Sequence, residues 1–206
     1  MSTGQGDPTR NGPELVLASA SPRRAELLDR VGLTFRVAPT DVDESVLPGE
    51  TADAYVVRVA TDKAMAAGAG APGAVVLAAD TSVVLDGEAL GKPTDRAHAL
   101  ELLGRLAGRS HRVLSAVVVV DADGVVHTTL AGATVTMAQL GADELDWYVD
   151  SAEPMDKAGA YALQGRGAAL VERVDGDPTA VIGMPLRATL DLLRAAGVKW
   201  PPADRG

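Results

Sequence analysis

Ser19, Ser21, Arg23 and Arg24 stand together in Leu17–Leu28, LASASPRRAELL, and their types and spacing suit the binding of an anion. Ser21-Pro22 reads as a helix start, a hydroxyl N-cap followed by proline at the first helical position. Arg23 and Arg24 then fall in the first turn, where the helix dipole is positive and backbone N–H groups lack partners. Two cations are unfavourable there until an anion joins them. The two hydroxyls, the free N–H groups and the guanidinium pair therefore form a candidate phosphate or oxyanion cradle. For an isolated S-P-R-R, a pair of solvated surface arginines is the bland alternative.

Asp80 follows the apolar run Ala74–Ala79 and is expected at the carboxyl end of a buried strand, where functional groups of α/β folds gather. A carboxylate there can hold a divalent cation or take a proton from water, or it can merely cap a turn. Glu44, in the acidic stretch Asp41–Gly49, has the same two readings. Lys63 and Lys92 gain weight because the chain prefers arginine and keeps only four lysines. In Glu153–Gly167, EPMDKAGAYALQGRG, Tyr161 and Gln164 could offer hydrogen bonds to a planar ligand. His98, His111 and His127 are scattered without metal-ligand spacing, and structural roles are expected for them. Gly68–Gly73 formally matches the dinucleotide fingerprint, but it ends a helix and leads into a strand, the reverse of the required context.

The elements that must position these groups alternate along the chain. Strands are expected at 14–18, 34–38 and 74–79, then as a hairpin at 82–85 and 88–90 around Asp86-Gly87. Two long strands follow at 111–120 and 125–139, and one more at 168–174. Helices are expected at 22–31, 52–67 with Thr51 as cap and Gly68 closing, 95–106, 143–149 and 185–196. Crossovers together with hairpins predict an α/β chain with a mixed sheet.

Length allows one large domain or two lobes sharing a core: 206 residues, 47% hydrophobic. A net charge of −9 argues against a broad nucleic-acid or anionic-membrane surface, but not against a small polyanionic ligand. With aromatics at 3%, base-stacking platforms are not expected. No cysteine is present, which removes disulfides and thiolate metal sites and suits a cytoplasmic protein. No apolar run is long enough to cross a bilayer, and residues 1–13 read as a mobile tail without a signal-peptide core.

Taken together, LASASPRRAELL, Val56–Ala64 (VVRVATDKA), Ala78–Thr81 (AADT), Gly91–Pro93 (GKP), Leu106–His111 (LAGRSH) and Glu153–Gly167 resemble the Maf family of nucleoside triphosphate pyrophosphatases, in family order from Glu14 to about Leu193. The resemblance implies one Maf/ITPase-like domain over 14–206, a strongly twisted mixed sheet flanked by helices with two lobes around a central cleft. It implies cleavage between the α- and β-phosphates with Mg²⁺ or Mn²⁺. Asp80, Lys63 and Lys92 match catalytic positions, and Glu44 and Asp80 match the metal-binding carboxylates. Ser19, Ser21, Arg23, Arg24, Thr81 and Gln164 match substrate-binding positions. Among these, Arg24, Thr81 and Gln164 fall at positions of substrate choice and resemble the dTTP/UTP branch rather than the 7-methyl-GTP branch. A nucleoside triphosphate is the implied partner, and homodimer formation is left open. Competing readings are a nucleotide-responsive regulator of septum formation and a general phosphatase releasing orthophosphate.

Overall fold

The computed structural model describes residues 12–202. The expected 1–13 tail falls mostly outside them. A seven-stranded mixed sheet forms the centre, built from β1 (Leu15–Leu17), β2 (Arg36–Val37), β3 (Val75–Leu85), β4 (Glu88–Leu90), β5 (Ser110–Val120), β6 (Val126–Met137) and β7 (Val171–Gly176). Its order is β2-β1-β3-β5-β6-β7, with β4 beside β3. The β1–β2 and β1–β3 pairs are parallel and the others antiparallel. The mixed sheet is as expected from the sequence.

The helices are α1 (Pro22–Arg30), α2 (Ala52–Ala69), α3 (Arg96–Leu106), α4 (Ala142–Val149), α5 (Pro178–Ile182) and α6 (Leu186–Ala195). Helix α2 starts as expected, with Thr51 Oγ1 accepting from Ala54 N at 3.3 Å, but runs through Gly68 to a cap at Gly70. Its buried residues Val56, Val59, Ala60, Ala64 and Ala67 recur at helical spacing. The short α5 is absent from the sequence reading. Five residues carry no periodicity, and the turn is fixed by Asp177 Oδ1, which accepts from Thr179 N at 2.8 Å. The stretch 166–170 is a 3-10 turn, so β7 starts three residues later than expected.

The main correction concerns β3. The sequence places a strand end at Ala79, whereas β3 runs unbroken from Val75 to Leu85, with Asp80 and Thr81 in its middle. One edge pairs with β5 from Val76 to Val84. On the other edge β1 pairs with Val75–Leu77 and β4 with Val83–Leu85, so the edge between them, around Asp80, is open to whatever lies past the carboxyl end of β1. The strand end that marks the crevice is that of β1, not β3.

Strand alternation sends neighbouring residues to opposite faces. Val76 and Ala78 pack into the cluster made with Val56, Ala60 and Ala64 of α2. Val75, Leu77 and Ala79 join Leu27 and Leu28 of α1 and Leu190 and Leu193 of α6. A third cluster, with Val83, Leu85 and Val113, gathers α3, α4 and Tyr161 at the other end of the sheet. By the same parity Asp80 belongs to the α2 face and Thr81 to the α1–α6 face. No helix among the described residues is long and apolar enough to cross a membrane.

Candidate active site

A cleft of about 620 Å³ opens at the gap in the β3 edge. It is lined by Ser19 to Arg24, Glu44, Lys63, Asp80 to Val83, Lys92, Asp156, Lys157 and Gln164, among others. The fold therefore brings together every site residue expected from the sequence.

On the α2 face, Lys63 lies seven residues after Val56 and three after Ala60, so an ammonium occupies the helix stripe that otherwise packs on the sheet. Its Nζ is 2.9 Å from Asp80 Oδ1 and 2.8 Å from Glu44 Oε1. Asp80 is 6% exposed. Burial pushes its carboxyl above the usual carboxylate range, while the Lys63 charge and hydrogen bond and the Arg24 charge oppose the rise and Glu44 adds to it. Glu44 is on an exposed loop. That loop is tied down by Tyr55, whose hydroxyl donates to Glu44 O at 3.0 Å, and by Arg58, which reaches Ser45 O at 2.8 Å.

On the other face, Arg24 is buried rather than presented to solvent. Its Nε donates to Gly183 O at 3.0 Å, Nη1 to Ser19 Oγ at 3.0 Å and Nη2 to Thr81 Oγ1 at 3.2 Å. Thr81 Oγ1 lies 2.7 Å from Ser115 Oγ, which donates to Ala180 O at 2.7 Å. Desolvation pulls the Arg24 guanidinium below its usual value, although Asp80 nearby pulls it back up. The repulsion expected at the start of α1 is thus met by internal acceptors from three separate segments. Ser21 makes no side-chain cap bond, and its N–H instead donates to Ser19 Oγ at 3.2 Å.

Arg23 remains at the cleft and pairs with Asp156 Oδ2 at 3.2 Å. Lys157 donates to Glu153 O at 2.7 Å and also pairs with Asp156. Lys92 is exposed at the rim and forms no ion pair with a described residue. Lys157, Asp156, Glu153 and Ser115 were missed in the sequence. The scarcity of lysine that singled out Lys63 and Lys92 applies equally to Lys157. Tyr161 does not offer its hydroxyl to a ligand. It is buried, with that oxygen 2.8 Å from His111 Nε2. His127 pairs with Asp121, His98 lies beside Thr94, and none of the three histidines lines the cleft.

The cleft can do two things chemically. Arg23, Lys63, Lys92 and Lys157 supply positive charge to a polyanion, and Asp80 supplies a carboxylate whose proton affinity is raised. Among the described residues there is no cluster of three or more metal-ligating side chains. Asp80 and Glu44, converging on one ammonium, are a two-carboxylate donor set. That suits Mg²⁺ or Mn²⁺, which take one or two protein carboxylates and complete their shell with water and substrate phosphates.

The chain is 52% identical to the dTTP/UTP pyrophosphatase of Anaeromyxobacter dehalogenans strain 2CP-1 over 192 residues, 92% of this chain and 97% of that protein. It is 49% identical to the dTTP/UTP pyrophosphatase of Symbiobacterium thermophilum over 186 residues, 89% of this chain and 94% of that protein. A HAM1 protein structure from Coxiella burnetii shares the fold at 19% identity and a TM-score of 0.51, covering 89% of this chain and all of that one. The family model for Maf-like proteins matches residues 14–196, from the strand that opens the crevice to the helix that closes the domain, and the chain belongs to that family.

Proposed function

We propose that this protein hydrolyses dTTP and UTP to the nucleoside monophosphate and pyrophosphate in the cleft at the open edge of β3, with a divalent cation. The observation that carries the reading is Lys63 Nζ held between Asp80 and Glu44, facing a rim of Arg23, Lys92 and Lys157. A triphosphate brings several negative charges into an acidic protein, and a rim of cations in one cleft offsets them. The activity of the relatives, named for dTTP and UTP, supports the substrate choice.

Asp80 acts as the base. Its carboxylate takes a proton from water, the water oxygen bonds to phosphorus at the α–β anhydride, and the bond to the bridging oxygen breaks. Lys63 keeps Asp80 ionised against the cost of burial and holds it in one orientation. Arg23, Lys92 and Lys157 offset the charge on the departing pyrophosphate. Arg24 acts by holding Ser19 and Thr81 in place. Asp80 and Glu44 are the side chains that would hold Mg²⁺ or Mn²⁺, which when bound neutralises phosphate oxygens and polarises the anhydride.

A nucleotide panel assayed separately for pyrophosphate and orthophosphate tests this. Pyrophosphate release from dTTP and UTP that stops on chelation and returns with Mg²⁺ or Mn²⁺ is expected. Orthophosphate as the main product, or turnover that survives chelation, overturns it.

A further inference from the structure

Gln164 lies on the loop between Ala162 and Gly167, exposed at the cleft, and its side chain forms no hydrogen bond to another described residue. The point from which its side chain reaches into the cleft is therefore set by its backbone. That backbone is held at both ends by one pair of side chains. Glu153 Oε2 accepts from Arg166 N at 2.9 Å and Oε1 from Gly167 N at 3.0 Å. Tyr148, fully buried on α4, donates its hydroxyl to Glu153 Oε1 at 2.9 Å and accepts from Ala162 N at 3.0 Å.

The fit around this pair is close. A Cβ on Gly165 would lie 2.2 Å from Glu153 Oε2, and one on Gly167 would lie 2.8 Å from the Tyr148 hydroxyl. Gly165 is thus explained by the approach of the carboxylate, and Gly167 by the Ala162 backbone, whose O would lie 2.6 Å from a Cβ, together with the phenol. The carboxylate is anionic in this setting. Burial would raise it, but the Gly167 and Arg166 N–H groups, the Tyr148 hydroxyl and the Lys157 charge hold it below the usual value. Lys157 also donates to Glu153 O, joining this support to the cationic rim.

We propose that Glu153 and Tyr148 are positioning residues that fix Gln164 for reading the nucleobase, so that discrimination among pyrimidine triphosphates depends on a carboxylate that does not touch the base. This deepens the pyrophosphatase reading and rests on it. A Gln amide presents an N–H and a C=O side by side, a match to the 3-NH/4-oxo edge shared by uracil and thymine when the loop holds it within reach of that edge. Cytosine presents that edge with donor and acceptor exchanged, so an amide must turn over to meet it, and a loop free to pivot gives it the room to do so.

The test is kcat and KM for UTP, dTTP and CTP in Glu153→Gln, Gln164→Ala and the double variant, with thermal melts. Glu153→Gln keeps the shape and loses the charge that two N–H groups and a hydroxyl share. The UTP-over-CTP ratio of kcat/KM should fall about tenfold, the loss of one well-made hydrogen bond. The change should lie in KM, and the double variant should be no worse than Gln164→Ala alone, as coupled sites behave. An unchanged ratio with all substrates declining together, or additive losses in the double variant, overturns the proposal. Tyr148→Phe, which keeps the ring and removes the hydroxyl, gives the same comparison if Glu153→Gln does not fold. Wild-type protein inactive on dTTP and UTP overturns the pyrophosphatase reading alone. The positioning is then read from amide exchange at Ala162, Arg166 and Gly167, which must quicken in Tyr148→Phe while exchange in β3 does not.

Discussion

Replacing Lys63 by methionine removes an ammonium and keeps most of the stem that packs along α2. In the native cleft Lys63 is the largest influence opposing the desolvation of Asp80, through both its charge and a 2.9 Å hydrogen bond. Its side chain is 11% exposed and that of Asp80 9%, so little solvent screening softens the loss. A hydrogen bond to a charged group contributes about 1.5–3 kcal/mol. The Asp80 pKa should therefore rise further above its already raised native value. The acid limb of kcat/KM against pH, read by pyrophosphate release from UTP, should move up by the same amount. Carboxyl ¹³C titration of Asp80 gives the shift without turnover. An acid limb that stays put, or moves down, would falsify the assignment of Lys63 as the group that keeps Asp80 ionised. Stability carries the same sign. A carboxyl with a raised folded pKa favours the fold below 3.8, and that contribution is lost as pH rises through the folded value. In Lys63→Met this loss should extend to higher pH than in the native protein, as Tm against pH would report.

Three further outcomes are expected. Asp80→Asn should lower pyrophosphate release by about 10²–10⁴-fold with Tm held or raised, since the positioned base is lost and a buried charge removed; an unchanged rate would return Asp80 to a structural role. Arg24→Ala should destabilise the protein by at least about 2 kcal/mol, roughly 4–8 °C in Tm, because Ser19, Thr81 and Gly183 O each lose a donor; an unchanged Tm would mean the guanidinium is not scaffold. His111, buried and pushed down to about 4 from 6.5, binds its proton later in the folded state than in the unfolded one, so stability should fall by about 3 kcal/mol as pH drops from 6.5 to 4. His111→Phe should flatten that slope in urea melts, and a slope that persists would place it on another group.

The residues that converge on the cleft were legible in the sequence because they break local rules. Cations in a first helical turn, a lysine on an apolar helix stripe and a carboxylate after six apolar residues each cost free energy unless a partner exists. The partners themselves were not legible. Arg24 is satisfied by Gly183 O, 159 positions away, and by a threonine on β3, and no window of sequence contains both. Nothing in the sequence singles out Glu153, because the two N–H groups it serves belong to a loop that has no periodicity to reveal it. The end of β3 was misplaced for a related reason. Aspartate is depleted in strands, so Asp80-Thr81 reads as a terminator, but the open edge between β1 and β4 and the ammonium of Lys63 make a mid-strand carboxylate tolerable.

That misplacement matters for how the site is organised. A strand that ended at Ala79 would leave Asp80 and Thr81 on a turn, free to face the same way. A strand that continues through them forces them apart, since successive side chains point to opposite faces. Asp80 meets Lys63 and Glu44 on the α2 side, where water would be activated. Thr81 meets Arg24, Ser115 and Gly183 on the α1–α6 side, where the segment from Ser19 to Arg24 is anchored. A one-residue slip of β3 would exchange the two environments and put the carboxylate beside the buried guanidinium and the hydroxyl beside the ammonium. The nine-residue register from Val76 to Val84 against β5 prevents that slip. Chemistry and anchoring are thus separated by a single peptide bond, and the uninterrupted pairing on the far edge of β3 keeps them so.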